Sequence, residues 1–218
     1  MPITTVILDY GYVLCLPPRE EGFVALQKQS GIEPELFRTV YLRHREAYDR
    51  GEFDGPDYWQ RIGHDAGITY SLEQAKKLVL QDRQLWLQIN PVMLRWVEVL
   101  RRCGFKTAIL SNMSRDFCAH LRQTAPWLNL FTHLCLSGEL KLGKPDPAIY
   151  HSCLAGLGVP ADQTLFVDDL PANIAAARSL GMNGVVFQSI PQLRQDLEPF
   201  GLAASLDEAV DHSGPATS

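Results

Sequence analysis

Residues 3–9 read Ile-Thr-Thr-Val-Ile-Leu-Asp, an apolar, β-branched run that ends in a carboxylate. Such a run is a buried strand, and it leaves Asp9 at the C-terminal rim of a sheet. Four similar runs follow. FKTAIL (105–110) ends at Ser111, HLCL occupies 133–136, TLFVDD (164–169) ends in Asp168 and Asp169, and GVVFQ (184–188) is the last. Helical stretches separate them. Pro91 opens one in which Val92, Trp96, Val99, Leu100 and Cys103 recur at helical spacing before Gly104. Others cover 114–124, 146–157 before Gly158, and 171–180 before Gly181. Strands alternating with helices require right-handed crossovers, so the expected fold class is α/β with a doubly wound parallel sheet. Functional groups in such sheets gather beyond the C-terminal strand ends, where this chain puts Asp9, Ser111, Asp168 and Asp169.

Residues 20–88 differ in character. They read as four helices with polar faces and no intervening strand: 20–30 before Gly31, 34–50 before Gly51, 56–66 before Gly67, and 71–88. Ser71 with Gln74 fits a capping box. The expected organisation is a core of residues 1–16 and 90–218 with a four-helix cap, 17–89, inserted after the first strand and placed to cover the sheet edge.

The chain has 218 residues, 46% hydrophobic and 21% charged, which suits a folded protein with a sizeable core. A net charge of −5 without a basic stripe argues against nucleic-acid binding. No apolar run reaches membrane-spanning length, and the first residues lack a signal-peptide layout. The five cysteines (15, 103, 118, 135 and 153) show no metal-ligand spacing. They imply a reducing, cytoplasmic setting without disulfides, Cys103, Cys118 and Cys153 serving helix packing. The small, polar tail 212–218 is expected to fray.

Acids at strand ends that converge on one edge repel one another, and a divalent cation relieves that repulsion. Oxygen ligands without a Cys or His cluster favour magnesium (Mg2+) over zinc, and magnesium held by few carboxylates points to a phosphate substrate.

Four segments then carry a family resemblance. ILDYGYVL (7–14), ILSNMS (109–114), GKPDPAIY (143–150) and FVDDLPANIAAARSLGM (166–182) resemble, in order, the four motifs of the haloacid dehalogenase-like hydrolases, and the insertion matches their helical cap in place and length. The resemblance covers nearly the whole chain. It implies a hydrolase in which Asp9 is the nucleophile and Lys144 the cation. It further implies that Ser111 and the Asn112 backbone N–H hold phosphoryl oxygens. Asp9, the Gly11 carbonyl and Asp169 would bind Mg2+, with Asp168 acting through water. Asn173 would orient this group or cap a turn.

The pattern departs from most family phosphatases at Gly11, where a second aspartate normally protonates the leaving group. Such help is typically worth about 10²–10⁴ in rate. A branch resembling bacterial α-glucose-1-phosphate phosphatase shares the Asp-x-Gly pattern and the DDLPAN stretch and still hydrolyses phosphate esters. Tyr10 and Tyr12 flank the nucleophile. Either hydroxyl could replace the acid, although a pKa of about 10 makes tyrosine a mediocre donor; alternatively both pack at the cap hinge.

Arg43, His44, Arg45 and Tyr48 cluster on one expected cap helix. Arg43 and His44 are the candidates to reach a substrate, against a solvated face as the plainer reading. Tyr41, Tyr58, Trp59 and Trp86 read as cap core. The expected function is a Mg2+-dependent phosphomonoester hydrolase acting on a small phosphorylated metabolite such as a sugar phosphate. The alternatives are a haloacid dehalogenase and a catalytically weakened binding protein. Partners beyond the metabolite are a second copy of the chain, with no nucleic acid and no membrane.

Overall fold

The structure, a computed structural model, describes residues 2–211, so the expected fraying of 212–218 lies outside the described residues. Five parallel strands form one sheet: β1 (Thr5–Leu8), β2 (Lys106–Ser111), β3 (His133–Leu136), β4 (Thr164–Asp168) and β5 (Asn183–Val186). Their order is β3-β2-β1-β4-β5. The chain therefore winds outward from β1 in one direction and then in the other, and β1 is flanked by β2 and β4. All five strands expected from the sequence are present, with ends displaced by one or two residues.

Burial on both faces explains why the strands read as continuous apolar runs rather than as alternating ones. Val6 and Leu8 point into an apolar cluster on one face of the sheet, and Ile7 points into another on the opposite face. The helices that fill the first cluster are α6 (Pro91–Arg102), α7 (Arg115–Thr124), α11 (Ile190–Leu197) and α12 (Ala203–Asp211). Against the second pack α9 (Pro147–Leu157) and α10 (Pro171–Ser179). Asn90, Ser114 and Asp146 accept backbone N–H groups at the starts of α6, α7 and α9, which fixes where those helices begin. All five cysteines are free, and Cys103 is exposed just beyond α6 instead of packed. Among the described residues, no helix is long and apolar enough to cross a membrane.

The insertion contains five helices, not four: α1 (Glu20–Ser30), α2 (Pro34–Arg43), α3 (Arg45–Asp49), α4 (Gly55–Asp65) and α5 (Leu72–Gln84). The long helix expected over 34–50 breaks at His44, whose φ of −106° and ψ of 4° leave the helical region. The break rotates the next turn. Arg45 swings inward to Asp49, with Nε–Oδ2 at 3.0 Å, and Tyr48 stacks on Tyr58 with centroids 4.3 Å apart. The expected capping box at Ser71 and Gln74 is present. Tyr41, Tyr58 and Trp59 belong to the insertion's own apolar cluster.

Two antiparallel connections tie this insertion to the sheet. Cys15 and Ile89 form an antiparallel bridge, Leu16 N–H donates to Gln88 O at 2.7 Å, and Asn90 N–H donates to Leu14 O at 2.8 Å. Farther out, Gly55 N–H donates to Asp116 Oδ2 at 2.6 Å, and Ser137 Oγ donates to Asp49 O at 2.5 Å. Ser137 begins α8 (Ser137–Leu140), the short turn after β3. Gly51, at φ 69°, passes so close that a Cβ there would lie 2.6 Å from Gly138 O.

Gly51→Ala is accordingly expected to destabilise in two ways. The left-handed backbone costs about 1–2 kcal/mol for a residue with a Cβ, and the new methyl collides with the α8 backbone. Gly31→Ala shares the positive φ but meets nothing within 4 Å. Thermal melts should show a larger fall in Tm for Gly51→Ala. Equal falls would mean that the contact at Gly138 carries no weight.

Candidate active site

Strand register creates the site. Leu8 pairs with Val167 across β1 and β4, so Asp9 and Asp168 leave the sheet side by side, and Asp9 N–H donates to Val167 O at 2.9 Å. Ser111 ends β2 on the other side of β1. The loop after α8 delivers Lys144. Its Nζ lies 2.9 Å from Asp9 Oδ1 and 2.6 Å from Asp168 Oδ2. Carboxylate oxygens of Asp9, Asp168 and Asp169 come within 4.8 Å of one another.

Lys144, Asp168 and Asp9 are each held. The Asn112 side chain clamps the Lys144 backbone, accepting from its N–H at 2.8 Å and donating to its carbonyl at 2.9 Å. Asp168 receives Asn173 Nδ2 at 3.0 Å on both oxygens and Leu170 N–H at 2.8 Å. Asn173 therefore orients the acid and does not cap a turn. Tyr10 N–H donates to Asp9 Oδ1 at 2.7 Å. These bonds tie a strand end, a loop and the first turn of α10 into one rigid group, as a buried polar network must be satisfied to persist.

The electrostatics show what the network lacks. Burial pushes the Asp9 carboxyl up to about 6, with Lys144 opposing and Asp168 reinforcing the shift. Burial, then Asp168, also raises Asp169. Burial pulls the Lys144 pKa down, but the neighbouring Asp9 and Asp168 outweigh it and raise it, which keeps the ammonium charged. One ammonium thus serves three acids. A hard divalent cation fits this all-oxygen group and would supply the missing positive charge.

A cavity of about 350 Å³ opens over these groups. Asp9, Gly11, Ser111, Asn112, Lys144, Asp169 and Asn173 line its floor, whereas Asp168 stays behind Lys144. Side chains of the insertion form its roof: Tyr41, Leu42, Arg45, Asp49 and Trp86. Sequence reasoning missed Arg45 as a cavity residue, because an unbroken helix gives no sign of the turn at His44. Arg43 and His44, the expected substrate ligands, point away. Both bind Asp65, at 3.0 and 2.9 Å, and His44 lines a separate outer cleft with Arg61 and His64. The helix break that brings Arg45 in is what turns them out. Tyr10 is buried, with its hydroxyl donating to Trp86 O at 2.5 Å and its pKa raised by burial, so it is no proton donor. Tyr12 sits 42% exposed at the cavity mouth. The helix after Ser111 is capped by Ser114, which leaves the Ser111 hydroxyl beside Asp9.

A family model described as haloacid dehalogenase-like hydrolase matches residues 17–181. The chain is 32% identical over 171 residues to (S)-2-haloacid dehalogenase 4A of Burkholderia cepacia, covering 76% of this chain and 69% of that protein. It is 25% identical over 142 residues to a sesquiterpene phosphatase of Aspergillus oryzae, covering 64% and 70%. A family enzyme of Bacteroides thetaiotaomicron, crystallised in complex with magnesium and inorganic phosphate, superposes with a TM-score of 0.67. It is 20% identical, and the match covers 85% of this chain and 94% of that one. Four other curated relatives are matched over only 17–39% of their own length.

The raised Asp9 pKa fixes the sign of a stability test. A folded-state pKa of about 6 against 3.8 unfolded means that the stability Asp9 contributes is full below pH 3.8. It is lost as pH climbs through 6. Above that, the ionised side chain costs the metal-free fold up to about 3 kcal/mol. Asp9→Asn should therefore raise Tm at pH 8 without metal and do so much less at pH 4. Magnesium should stabilise the parent more than the variant. A lower Tm for Asp9→Asn at pH 8 would contradict the charge imbalance.

Proposed function

The chain belongs to the haloacid dehalogenase-like hydrolases, and we propose that it hydrolyses the phosphomonoester of a small metabolite in a magnesium-dependent reaction through an aspartyl-phosphate at Asp9. The observation that supports this most is the floor of the cavity: a carboxylate in contact with a buried lysine, with a second acid facing the same space. Asp9, the Gly11 carbonyl and Asp169 would hold magnesium, which would supply Lewis-acid neutralisation of the phosphoryl charge. Asp9 attacks phosphorus and displaces the alkoxide, and water then cleaves the acyl phosphate to restore Asp9. Lys144 neutralises non-bridging oxygens, and the Ser111 hydroxyl donates to one of them. Asp168, Asn173 and the Asn112 side chain position Lys144. The five-helix insertion acts as a cap that excludes water. Residues 17–89 are the proposed cap, and residues 1–16 and 90–218 the catalytic core.

The competing reading is a haloacid dehalogenase, favoured by the Burkholderia cepacia match. The resemblance separates the two: dehalogenases of this family work without metal and lack the acidic pair Asp168-Asp169. Phosphate release from p-nitrophenyl phosphate that stops with chelator or Asp9→Asn supports the phosphatase. Halide release from 2-chloropropionate in chelator, with no phosphate release, would replace it.

Gly11 offers a sharper test. Its φ of −62° and ψ of 135° suit any residue, and a Cβ there would meet nothing nearer than the Trp86 ring at 3.9 Å. Gly11→Asp should therefore fold and supply a leaving-group acid. Its kcat on alkyl phosphates should rise by about 10², and much less on p-nitrophenyl phosphate, whose leaving group needs no proton. Equal effects on both would show that the missing acid does not limit turnover.

A further inference from the structure

We propose that the alcohol portion of the substrate is apolar, an alkyl, isoprenoid or aryl chain, and not a polyol or sugar. This rests on the phosphatase reading and names the substrate class of the same cavity.

Three of the chain's exposed large hydrophobics, Tyr12, Leu42 and Leu170, all border this cavity, at 42%, 63% and 52% exposure. They come from three separate segments: the turn after β1, the end of α2 and the loop after β4. Single exposed apolar residues are ordinary, but a ring of them around one opening marks a surface that a ligand covers. Behind the ring, Trp86, Met113 and Phe117 continue the apolar wall toward Asp9.

The polar groups of the roof are engaged with one another. Tyr41 Oη donates to Asp82 Oδ1 at 2.6 Å and accepts from Arg45 Nη1 at 2.7 Å. Arg45 Nε donates to both Asp49 oxygens, at 3.1 and 3.0 Å, and its guanidinium lies 5.4 Å from the centre of the Trp86 ring. Tyr10 Oη is occupied by Trp86 O. The Trp86 indole N–H is the buried donor of this wall without a partner among the described residues. A sugar would bury several hydroxyls here against a roof whose side chains, the Trp86 indole N–H excepted, already have hydrogen-bond partners, and each unmet hydroxyl costs affinity. An apolar chain needs none of them and covers the exposed ring. The cavity, about 350 Å³, lies at the small end of the roughly 300–1,000 Å³ typical of ligand sites.

The test is phosphate release from n-butyl, n-hexyl and n-octyl phosphate against glycerol 3-phosphate and glucose 6-phosphate. The n-alkanols are poorer leaving groups than glycerol, so preference for them cannot reflect departure of the alcohol. The proposal expects kcat/KM to rise roughly fourfold per methylene and octyl phosphate to exceed both polyol esters by at least tenfold. Leu42→Asp and Leu170→Asp, at exposed positions where folding is insensitive, should each cut the octyl-to-butyl ratio several-fold, mainly through KM. A flat alkyl series together with efficient turnover of a polyol phosphate would overturn the inference and leave the phosphatase reading standing. Release from none of these esters nor from p-nitrophenyl phosphate would remove both.

Discussion

A single ammonium facing three carboxylates is the constraint on which the rest of the site depends. Lys144 touches Asp9 and Asp168 directly, and Asp169 completes the acidic group. Such an arrangement is unstable in a soft environment, where side chains would rotate toward water. It persists because its three buried members are fixed from behind: Asp9 by β1, Lys144 by the Asn112 amide, and Asp168 by Asn173 and the Leu170 N–H. The network spends folding energy to hold an excess of negative charge. That excess matches the divalent cation proposed to occupy it, whose charge also makes room for a phosphoryl group.

The insertion solves a similar problem in a different way. Arg45 is brought inside by the break at His44 and is met by Asp49, Asp82 and Tyr41. Burial pushes Asp49 up to about 6, against the opposing pull of Arg45. The roof sets one guanidinium against two acids, whereas the floor sets one ammonium against three. The larger excess marks the floor as the set that calls for a cation, although both lie on one cavity and both contain perturbed carboxyls.

Much of this was legible in the sequence. Strand runs buried on both faces, three of them ending in Asp or Ser, fixed the sheet and the edge of the candidate site, because parallel strands leave no ambiguity about which end faces it. Lys144 and Asn173 were legible only through the family motifs, since nothing local in GKPDPAIY announces a buried cation. The insertion was readable as helical but not in detail. Pro34 through Arg50 has continuous helical character, and the interruption at His44 is imposed by tertiary partners, Asp82 and Tyr58, that lie some 14–38 residues away in sequence. Arg43 and His44 looked as well placed as Arg45, and only the rotation across that break distinguishes them. The exposed apolar ring was invisible for the same reason: Tyr12, Leu42 and Leu170 share no pattern until the fold assembles them.

The opening and the floor of the cavity are built from residues of opposite kinds. Asp9, Lys144 and Asn173 in the floor are buried and bonded into one network, so replacing one disturbs its neighbours. Tyr12, Leu42 and Leu170 are half exposed and stand on separate segments. Changes there carry little penalty in stability and need not be coordinated with one another. A lineage carrying this fold can therefore vary what the opening accepts one surface residue at a time, keeping the floor network intact. Evolvability of the chain's selectivity is in this sense a by-product of where its rigid network stops.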